Sequence, residues 1–334
     1  MAHSAVGESA FGEPAVIDWL LDGDVAVQYQ TTRDLLHREA PSLQGRITTE
    51  GHGAALLAAR QPNGHWGRGF YQPKWTSTHY TLLELKGLAP SPDCAPAREA
   101  VALVLATEKG RDGGLNPSAT IKDSDACVNG MALDYAAYFG AEQEDLASVV
   151  DFLLAQRMPD GGFNCAFNRR GAHHSSVHTS TSVLEGITEY ARRGYRYRLG
   201  ELLAARADII DFLLRHRLYL SERTGQPMDP EFTRLHHPAR WHFDVLRGLA
   251  ALADAAVPYD SRMEDAIGIL ESRRGRDGSW VANRPYPGAT HVPPDAAGQP
   301  SRWVTLMAFR VLAAYGPAAL DHPAAPDETR RRGT

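Results

Sequence analysis

Apolar residues recur along this chain at the spacing of an amphipathic α-helix. Between positions 145 and 154 the apolar residues are Leu146, Val149, Val150, Leu153 and Leu154. This spacing of i, i+3, i+4, i+7 and i+8 places them on one face of a helix. The segment 158–164 then contains Pro159 and two glycines, which end a helix and allow a tight turn. A second helix is predicted from about Ser176 to Tyr190.

The same unit of helix, glycine turn and helix repeats along the chain with a period of about 50 to 60 residues. Similar turns occur at 61–67, 110–116, 158–164 and 275–280. The second helices are predicted over 75–88, 125–139, 176–190, 240–252 and 303–315, with a divergent copy at 28–36. The Trp or Phe that follows the turn glycines is predicted to be structural, filling the gap between neighbouring units.

The two helices of each unit differ in composition, and the difference predicts an inner and an outer ring. The second helices are rich in Ala, Gly, Ser and Thr, which allow close packing, whereas the first helices carry one apolar stripe and a charged face. Six such pairs close into a ring. The predicted fold is therefore all-α, an (α/α)6 toroid, with a single domain over 15–315 and flexible tails at 1–14 and 316–334.

Charge and composition exclude several classes of partner. The net charge is −5, from 35 basic and 40 acidic residues, so no basic face for nucleic acid is expected. The first residues show no secretory signal, and no stretch approaches the roughly 18 apolar residues of a membrane span. Three cysteines, an odd and small number, argue against a disulfide framework. We expect a cytoplasmic protein with a small-molecule substrate; the sequence identifies no partner protein.

Candidate metal ligands lie at the predicted starts of neighbouring inner helices, which converge on one mouth of the toroid. Asp125 and Cys127 are two residues apart at one helix start, and His178 is at the next. Carboxylate, thiolate and imidazole are ligands that zinc uses, and three protein ligands leave the open position of a catalytic site. Cys165, in the turn before His178, is either a fourth ligand or a replacement for Asp125. A structural zinc with four protein ligands, in a binding or assembly module, is the alternative.

Two consecutive repeats resemble the β-subunits of protein prenyltransferases. The segment 112–127 contains a Gly-Gly turn followed by Asp125 and Cys127, like the Asp-x-Cys zinc ligands of those subunits. The segment 161–187 contains Gly-Gly-Phe, then Val-His-Thr around His178 and Leu-Glu-Gly-Ile, like the segment that carries their histidine ligand. The resemblance extends over about 15–315 and implies a toroid, Zn²⁺ as cofactor, and ligand roles for Asp125, Cys127 and His178.

Part of the diphosphate-binding pattern of those subunits is missing. Lys122, three residues before Asp125, stands where they have a lysine near the metal, and it is a candidate substrate contact. Ala119 stands where they have an arginine, and Val128 where they have a tyrosine. Protein prenylation is therefore not the expected reaction, even with a shared metal.

Two other toroid families are similar in part. Class II terpene cyclases carry an Asp-x-Asp-Asp motif with the catalytic acid, and the segment 123–126 matches all but its third aspartate. This resemblance makes Asp125 a candidate acid and Asp123 a second catalytic candidate. Lanthionine cyclases bind zinc through two cysteines and a histidine, which becomes the closer analogy if Cys165 is a ligand.

Other residues near the predicted mouth suggest the substrate. The candidate contacts are Trp75, Tyr80, Arg240, Trp241 and Trp303, with His79 as a proton shuttle. The sequence therefore predicts a zinc-dependent enzyme that acts on a small, largely apolar molecule by group transfer or ring closure. A carbohydrate-active enzyme needs paired carboxylates, for which Asp123 and Asp125 are the closest candidates.

Overall fold

The computed structural model describes residues 14–118, 120–166 and 170–316, and within these ranges it contains helices and no β-strand. Ala119 and the predicted tails, apart from Pro14 and Gly316, lie outside the described residues. None of the helices described is both long and apolar enough to cross a membrane. The helices are α1 (Pro14–Leu21), α2 (Val25–Gln30), α3 (Pro41–Arg46), α4 (Gly51–Ala58), α5 (Thr78–Leu88), α6 (Ala95–Thr107), α7 (Ala126–Tyr138), α8 (Gln143–Ala155), α9 (Val177–Arg192), α10 (Leu199–Arg215), α11 (Val245–Asp254), α12 (Glu264–Ser272) and α13 (Arg302–Tyr315).

An inner ring is formed by α2, α5, α7, α9, α11 and α13. From α5 to α13 each inner helix contacts the next, and α13 contacts α2 and the π-helical turn Thr31–Leu35 that continues it. The ring closes between α2 and α5, where Gln30 Nε2 donates a hydrogen bond to Gly87 O at 2.9 Å. The helices α1, α4, α6, α8, α10 and α12 each contact an inner helix from outside. Apart from the short α3, the order of helices alternates outer and inner, as the repeat predicts.

Small residues allow α7 and α9 to pack very closely. A Cβ atom built on Gly186 would lie 2.3 Å from the carbonyl oxygen of Gly130. A Cβ atom on Gly130 would lie 2.7 Å from Ser182 O, on the facing helix. Because backbone atoms cannot move aside as a flexible side chain can, glycine is required at both positions.

The four repeated turns share one backbone geometry. Each contains a glycine with left-handed φ, which residues with a Cβ atom adopt at a cost. These glycines are Gly64 (+86°), Gly113 (+83°), Gly161 (+95°) and Gly278 (+80°). The turns are therefore equivalent in structure as well as in sequence.

The second residue after each of these glycines is buried and hydrogen-bonded to the next inner helix. Its backbone N–H donates a hydrogen bond to a side-chain oxygen on that helix, which satisfies a donor that would otherwise be buried without a partner. The pairs are Trp66 with Thr78 (3.0 Å), Leu115 with Asn129 (2.7 Å), Phe163 with Ser180 (3.0 Å) and Trp280 with Thr305 (2.9 Å). The structural role predicted for Trp66, Phe163 and Trp280 agrees with their burial, and Leu115 takes the same place in the turn at 110–116.

The predicted start of the fifth inner helix is wrong. The sequence predicts it from Arg240, but α11 begins at Val245, after Asp244, whose side chain accepts a hydrogen bond from Arg247 N at 2.9 Å. Arg240 has a φ of +58°, which no right-handed helix contains. Arg240 and Trp241 therefore lie in the loop before α11. The inner helix predicted over 75–88, α5, also begins later than predicted, at Thr78 rather than at Trp75.

The helix caps identify equivalent positions in α7 and α9. Asp125 and Ser176 are the N-cap residues of the two helices, so Cys127 and His178 are each the second residue of their helix.

Candidate functional site

A cavity of about 230 Å³ lies among the inner helices, on the toroid axis. All six inner helices contribute lining residues, among them Gln30, Tyr80, Asp134, Glu185, Arg247 and Trp303. The loops at 237–240 and 292–295 complete the wall. Because every repeat supplies part of it, this cavity is the best-defined candidate site among the described residues.

Charged side chains line much of the cavity. They are Glu84, Lys86, Asp134, Glu185, Arg240, Arg247, Asp254, Asp295 and Arg310. The lining thus combines these charged groups with apolar residues such as Leu83, Leu88, Trp303 and Met307. The expected largely apolar substrate stays a prediction. The charges occupy single positions in otherwise apolar or small-residue helices, and the sequence pattern alone does not reveal that they face one another.

Most of these charges are paired across neighbouring inner helices. The close pairs are Lys86 with Asp134 (3.0 Å), Arg247 with Glu185 (2.6 Å) and Arg310 with Asp254 (3.1 Å). Burial raises the pKa of Asp134 to about 6, although the ammonium of Lys86 opposes the shift. The sequence analysis missed Lys86 and Asp134. The signal that could have found them is a charged residue in the middle of a predicted inner helix.

Glu84 and Arg240 form a looser pair at the same cavity. Arg240 Nη2 and Glu84 Oε2 are 4.0 Å apart, with 7% and 20% of the two side chains exposed. Burial raises the pKa of Glu84, and the charge of Arg240 only partly opposes it. Burial also lowers the pKa of Arg240. Both shifts have the sign expected when desolvation outweighs a long ion pair.

Aromatic residues surround this pair. The Arg240 guanidinium lies 4.5 Å from the centre of the Trp75 ring, and Trp75 Nε1 donates a hydrogen bond to Pro287 O at 2.7 Å. The Tyr80 hydroxyl is 3.0 Å from that of Tyr71. Of the predicted substrate contacts, Tyr80, Arg240 and Trp303 line the cavity. Trp75 does not line it, and its ring packs against the Arg240 guanidinium.

The remaining predicted aromatic contact, Trp241, belongs to a column of stacked rings. Its ring centre is 3.7 Å from that of His242, which is 3.5 Å from that of Tyr286. The Lys74 ammonium lies 4.8 Å from the Trp75 ring and 4.9 Å from the Trp241 ring. Trp241 therefore contacts a lysine of the chain itself and does not line the central cavity.

Two of the predicted metal ligands meet. The backbone N–H of Cys127 donates a hydrogen bond to Cys165 Sγ at 3.1 Å, and the Thr179 hydroxyl donates to the same sulfur at 3.5 Å. The hydrogen bond between the thiols raises the pKa of Cys127 and lowers that of Cys165. The negative charge of Asp125, the N-cap residue of α7, adds to the rise at Cys127.

His178 is engaged differently. Its Nδ1 accepts a hydrogen bond from Phe243 N at 2.8 Å, and its ring lies 5.3 Å from that of Trp241. Burial lowers the pKa of His178 to about 4. Within the described residues, no group of three or more His, Cys, Asp or Glu side chains is arranged to hold a metal ion. The four predicted ligands do not form one set here, and zinc binding stays a prediction.

The other catalytic candidates lie away from the cavity. His79 has 0% of its surface exposed, and its Nδ1 is 3.3 Å from the Tyr135 hydroxyl. Burial lowers the pKa of His79 to about 3. His79 therefore does not line the cavity, and its role as a proton shuttle stays a prediction. Lys122 is exposed and Asp123 is half-buried before α7, and neither lines the cavity.

Comparison with solved structures identifies the fold. A polysaccharide lyase aligns over 92% of this chain and 98% of its own, with 12% identity and a TM-score of 0.53. A glycosyl hydrolase of family 88 from Bacteroides vulgatus aligns over 92% and 91%, with 14% identity and a TM-score of 0.50. The type II terpene cyclase MstE from Scytonema aligns over 82% and 98%, with 18% identity and a TM-score of 0.36.

No protein-family model matches the sequence, and the search of curated proteins gave no match. The similarity to the lyase and the hydrolase shows the fold alone, because identity is below 25%. The chain is an α/α toroid, and the fold predicted from its sequence is confirmed.

Proposed function

We propose that the chain is an enzyme that acts on a small polar molecule in its central cavity. In this proposal Glu84 is the proton donor. The observation that carries the proposal is the state of Glu84. Its carboxyl group lines the cavity, burial raises its pKa, and its nearest cation is 4.0 Å away. Raising the pKa of a carboxyl group by burial increases its protonated fraction at a given pH, and a proton donor needs that protonated form.

Glu84 is a better donor than Asp134, although burial raises the pKa of both carboxyl groups. Asp134 is 3.0 Å from the Lys86 ammonium, so its charge is committed to holding α5 and α7 together. Glu84 makes no hydrogen bond to a side chain or backbone group of the described residues. It is therefore available to a ligand in the cavity.

The size of the cavity and its charged groups support a small substrate with polar groups. A volume of about 230 Å³ is below the roughly 300–1,000 Å³ typical of ligand pockets. Such a space fits a molecule the size of a monosaccharide or an amino acid. Ring closure and group transfer, the reactions predicted from the sequence, both use a proton donor of this kind.

The test is consumption of substrate by matched variants. Wild-type protein is incubated with a panel of small polar metabolites, and each compound is followed by mass spectrometry. For a compound that is consumed, Glu84→Gln should lower kcat by about 10²-fold or more. The control is Glu271→Gln, on the exposed face of α12, which should retain full turnover.

The same assay separates the alternatives. Equal turnover by wild type and Glu84→Gln would refute the assignment of the proton donor. Loss of turnover in Asp125→Asn but not in Glu84→Gln would indicate that the reaction takes place near Asp125 and Cys127, as the terpene-cyclase resemblance implies. Compounds that bind without being consumed would favour a binding module.

A further inference from the structure

We propose that Arg240 anchors a carboxylate group of the ligand that occupies the central cavity. This inference rests on the proposed function, from which it takes the central cavity as the substrate site. It names the substrate class as a small carboxylic acid. Three observations support it. Arg240 is buried with N–H groups that have no acceptor among the described residues, its position is fixed by the surrounding structure, and the other described Lys and Arg side chains of the cavity are already paired.

Arg240 is buried without the partners that a buried guanidinium needs. Only 7% of its side chain is exposed, and its guanidinium makes no hydrogen bond to any described residue. Its Nη1 atom is enclosed and has no acceptor there. Guanidinium carries five N–H donors, and leaving buried donors unmatched is unfavourable. A bound anion would satisfy donors that the described residues leave without acceptors.

The other cations of the cavity are matched. The ammonium or guanidinium groups of Lys86, Arg247 and Arg310 each lie within 3.1 Å of a carboxylate oxygen. The shortest distance from Arg240 to a carboxylate oxygen is 4.0 Å, to Glu84. Among the described cations that line the cavity, Arg240 is thus the one whose charge is still available to a ligand.

The position of Arg240 is fixed by means other than a salt bridge. Its φ of +58° is disfavoured for a residue with a side chain, and such a conformation persists where the surrounding structure determines it. The turn brings the guanidinium to 4.5 Å from the Trp75 ring, which is held by its hydrogen bond to Pro287 O. A stacked guanidinium keeps its N–H edge free for a planar acceptor.

The charge balance favours a carboxylate over a phosphate. A planar carboxylate matches the guanidinium fork with two parallel hydrogen bonds and one negative charge. A phosphate dianion would bring a second negative charge near Glu84, while the other described cations of the cavity are already paired. A single negative charge beside Glu84 also disfavours ionisation of that carboxyl group, so a bound acid shifts the pKa of Glu84 in the same direction as burial does.

The experiment compares each acid with its primary amide, which has the same shape and no charge. Wild-type protein is titrated calorimetrically with lactate, benzoate and gluconate, with their three amides, and with inorganic phosphate. We expect at least one acid to bind, with its amide and phosphate binding at least tenfold more weakly. Arg240→Gln should weaken binding of that acid at least tenfold. Arg276→Gln, at an exposed turn that does not line the cavity, should leave binding unchanged.

Three outcomes would overturn the proposal: no acid binds wild type, an amide binds as well as its acid, or Arg240→Gln binds the acid like wild type. The acid–amide comparison uses wild type alone, so it decides the question even if the variant fails to fold. The melting temperature of Arg240→Gln is expected to be unchanged or higher, since an underpaired buried cation is removed. If turnover requires Glu84 but not Arg240, the carboxylate site at Arg240 is refuted and the proton donor stands. If turnover requires Arg240 but not Glu84, only the role of Glu84 is refuted.

Discussion

Replacing Lys86 with Met should expose how strongly the cavity depends on its charge pairs. The Lys86 ammonium lies 3.0 Å from Asp134, whose side chain is 5% exposed. Even with this partner, burial raises the pKa of Asp134 from 3.8 to about 6. Burial thus destabilises the ionised form of Asp134 in the folded protein, and the charge of Lys86 opposes this effect. Without Lys86 the cost rises, and breaking a buried pair typically destabilises by about 3–5 kcal/mol.

The loss should depend on pH, with a defined sign. The folded-state pKa of Asp134 lies above its unfolded value, so the folded state binds the extra proton. In Lys86→Met this pKa rises further, because the opposing positive charge is gone. The variant therefore loses stability as pH rises from about 4 through 6 and beyond. We expect a loss of about 3–5 kcal/mol at pH 8 and about 1–2 kcal/mol at pH 5, where Asp134 is protonated.

Urea unfolding at pH 5 and pH 8 measures these differences. The set is wild type, Lys86→Met, Asp134→Asn and the double variant, with Lys122→Met as the control for losing an exposed lysine. The double variant should recover most of the loss, because neither charge remains buried alone. A Lys86→Met variant equally destabilised at both pH values, or a double variant no more stable than the single one, would refute the reasoning.

Two further predictions concern the packing of the ring and the thiol pair. Gly186→Ala places a Cβ atom 2.3 Å from the backbone of Gly130, and should cost about 1–3 kcal/mol in thermal unfolding. Gly268→Ala, on α12 with no atom within 4 Å, should be neutral or stabilise by up to about 1 kcal/mol; equal effects of the two would contradict the close-packing argument. If the predicted zinc site exists, elemental mass spectrometry should find about one zinc per chain, lost in Cys127→Ser. Retained zinc in Cys165→Ser would remove Cys165 from the ligand set, and zinc-free wild type would end the prediction.

The repeat was predictable because its signals are local. Helical spacing of apolar residues, a left-handed glycine such as Gly113 and a buried residue such as Leu115 are all properties of short segments. The same local signals failed at Arg240, where the predicted helix begins five residues later, at Val245. The helix was extended too far because a left-handed φ at a non-glycine residue leaves no mark in the sequence pattern.

The candidate site was only partly predictable. Tyr80, Arg240 and Trp303 were chosen from their residue types near the predicted mouth, and all three line the cavity. His79 was chosen by the same reasoning and is enclosed by aromatic rings. One residue of difference along a helix turns a side chain by about 100°. An alignment of repeats that is uncertain by one or two residues therefore cannot say which side chains reach the axis.

What the sequence by itself determined is the architecture: paired helices, their alternation between inner and outer positions, the turns between them and the closure of six pairs into a toroid. Each of these follows from spacing and composition within a repeat. Only the tertiary structure decided that Glu84 and Arg240 face each other at 4.0 Å, on a cavity of about 230 Å³ whose other described Lys and Arg side chains lie close to carboxylates. The reason is that these two residues lie 156 positions apart (240 − 84), and desolvation and partner distance, which set their protonation and availability, exist only once the ring has closed.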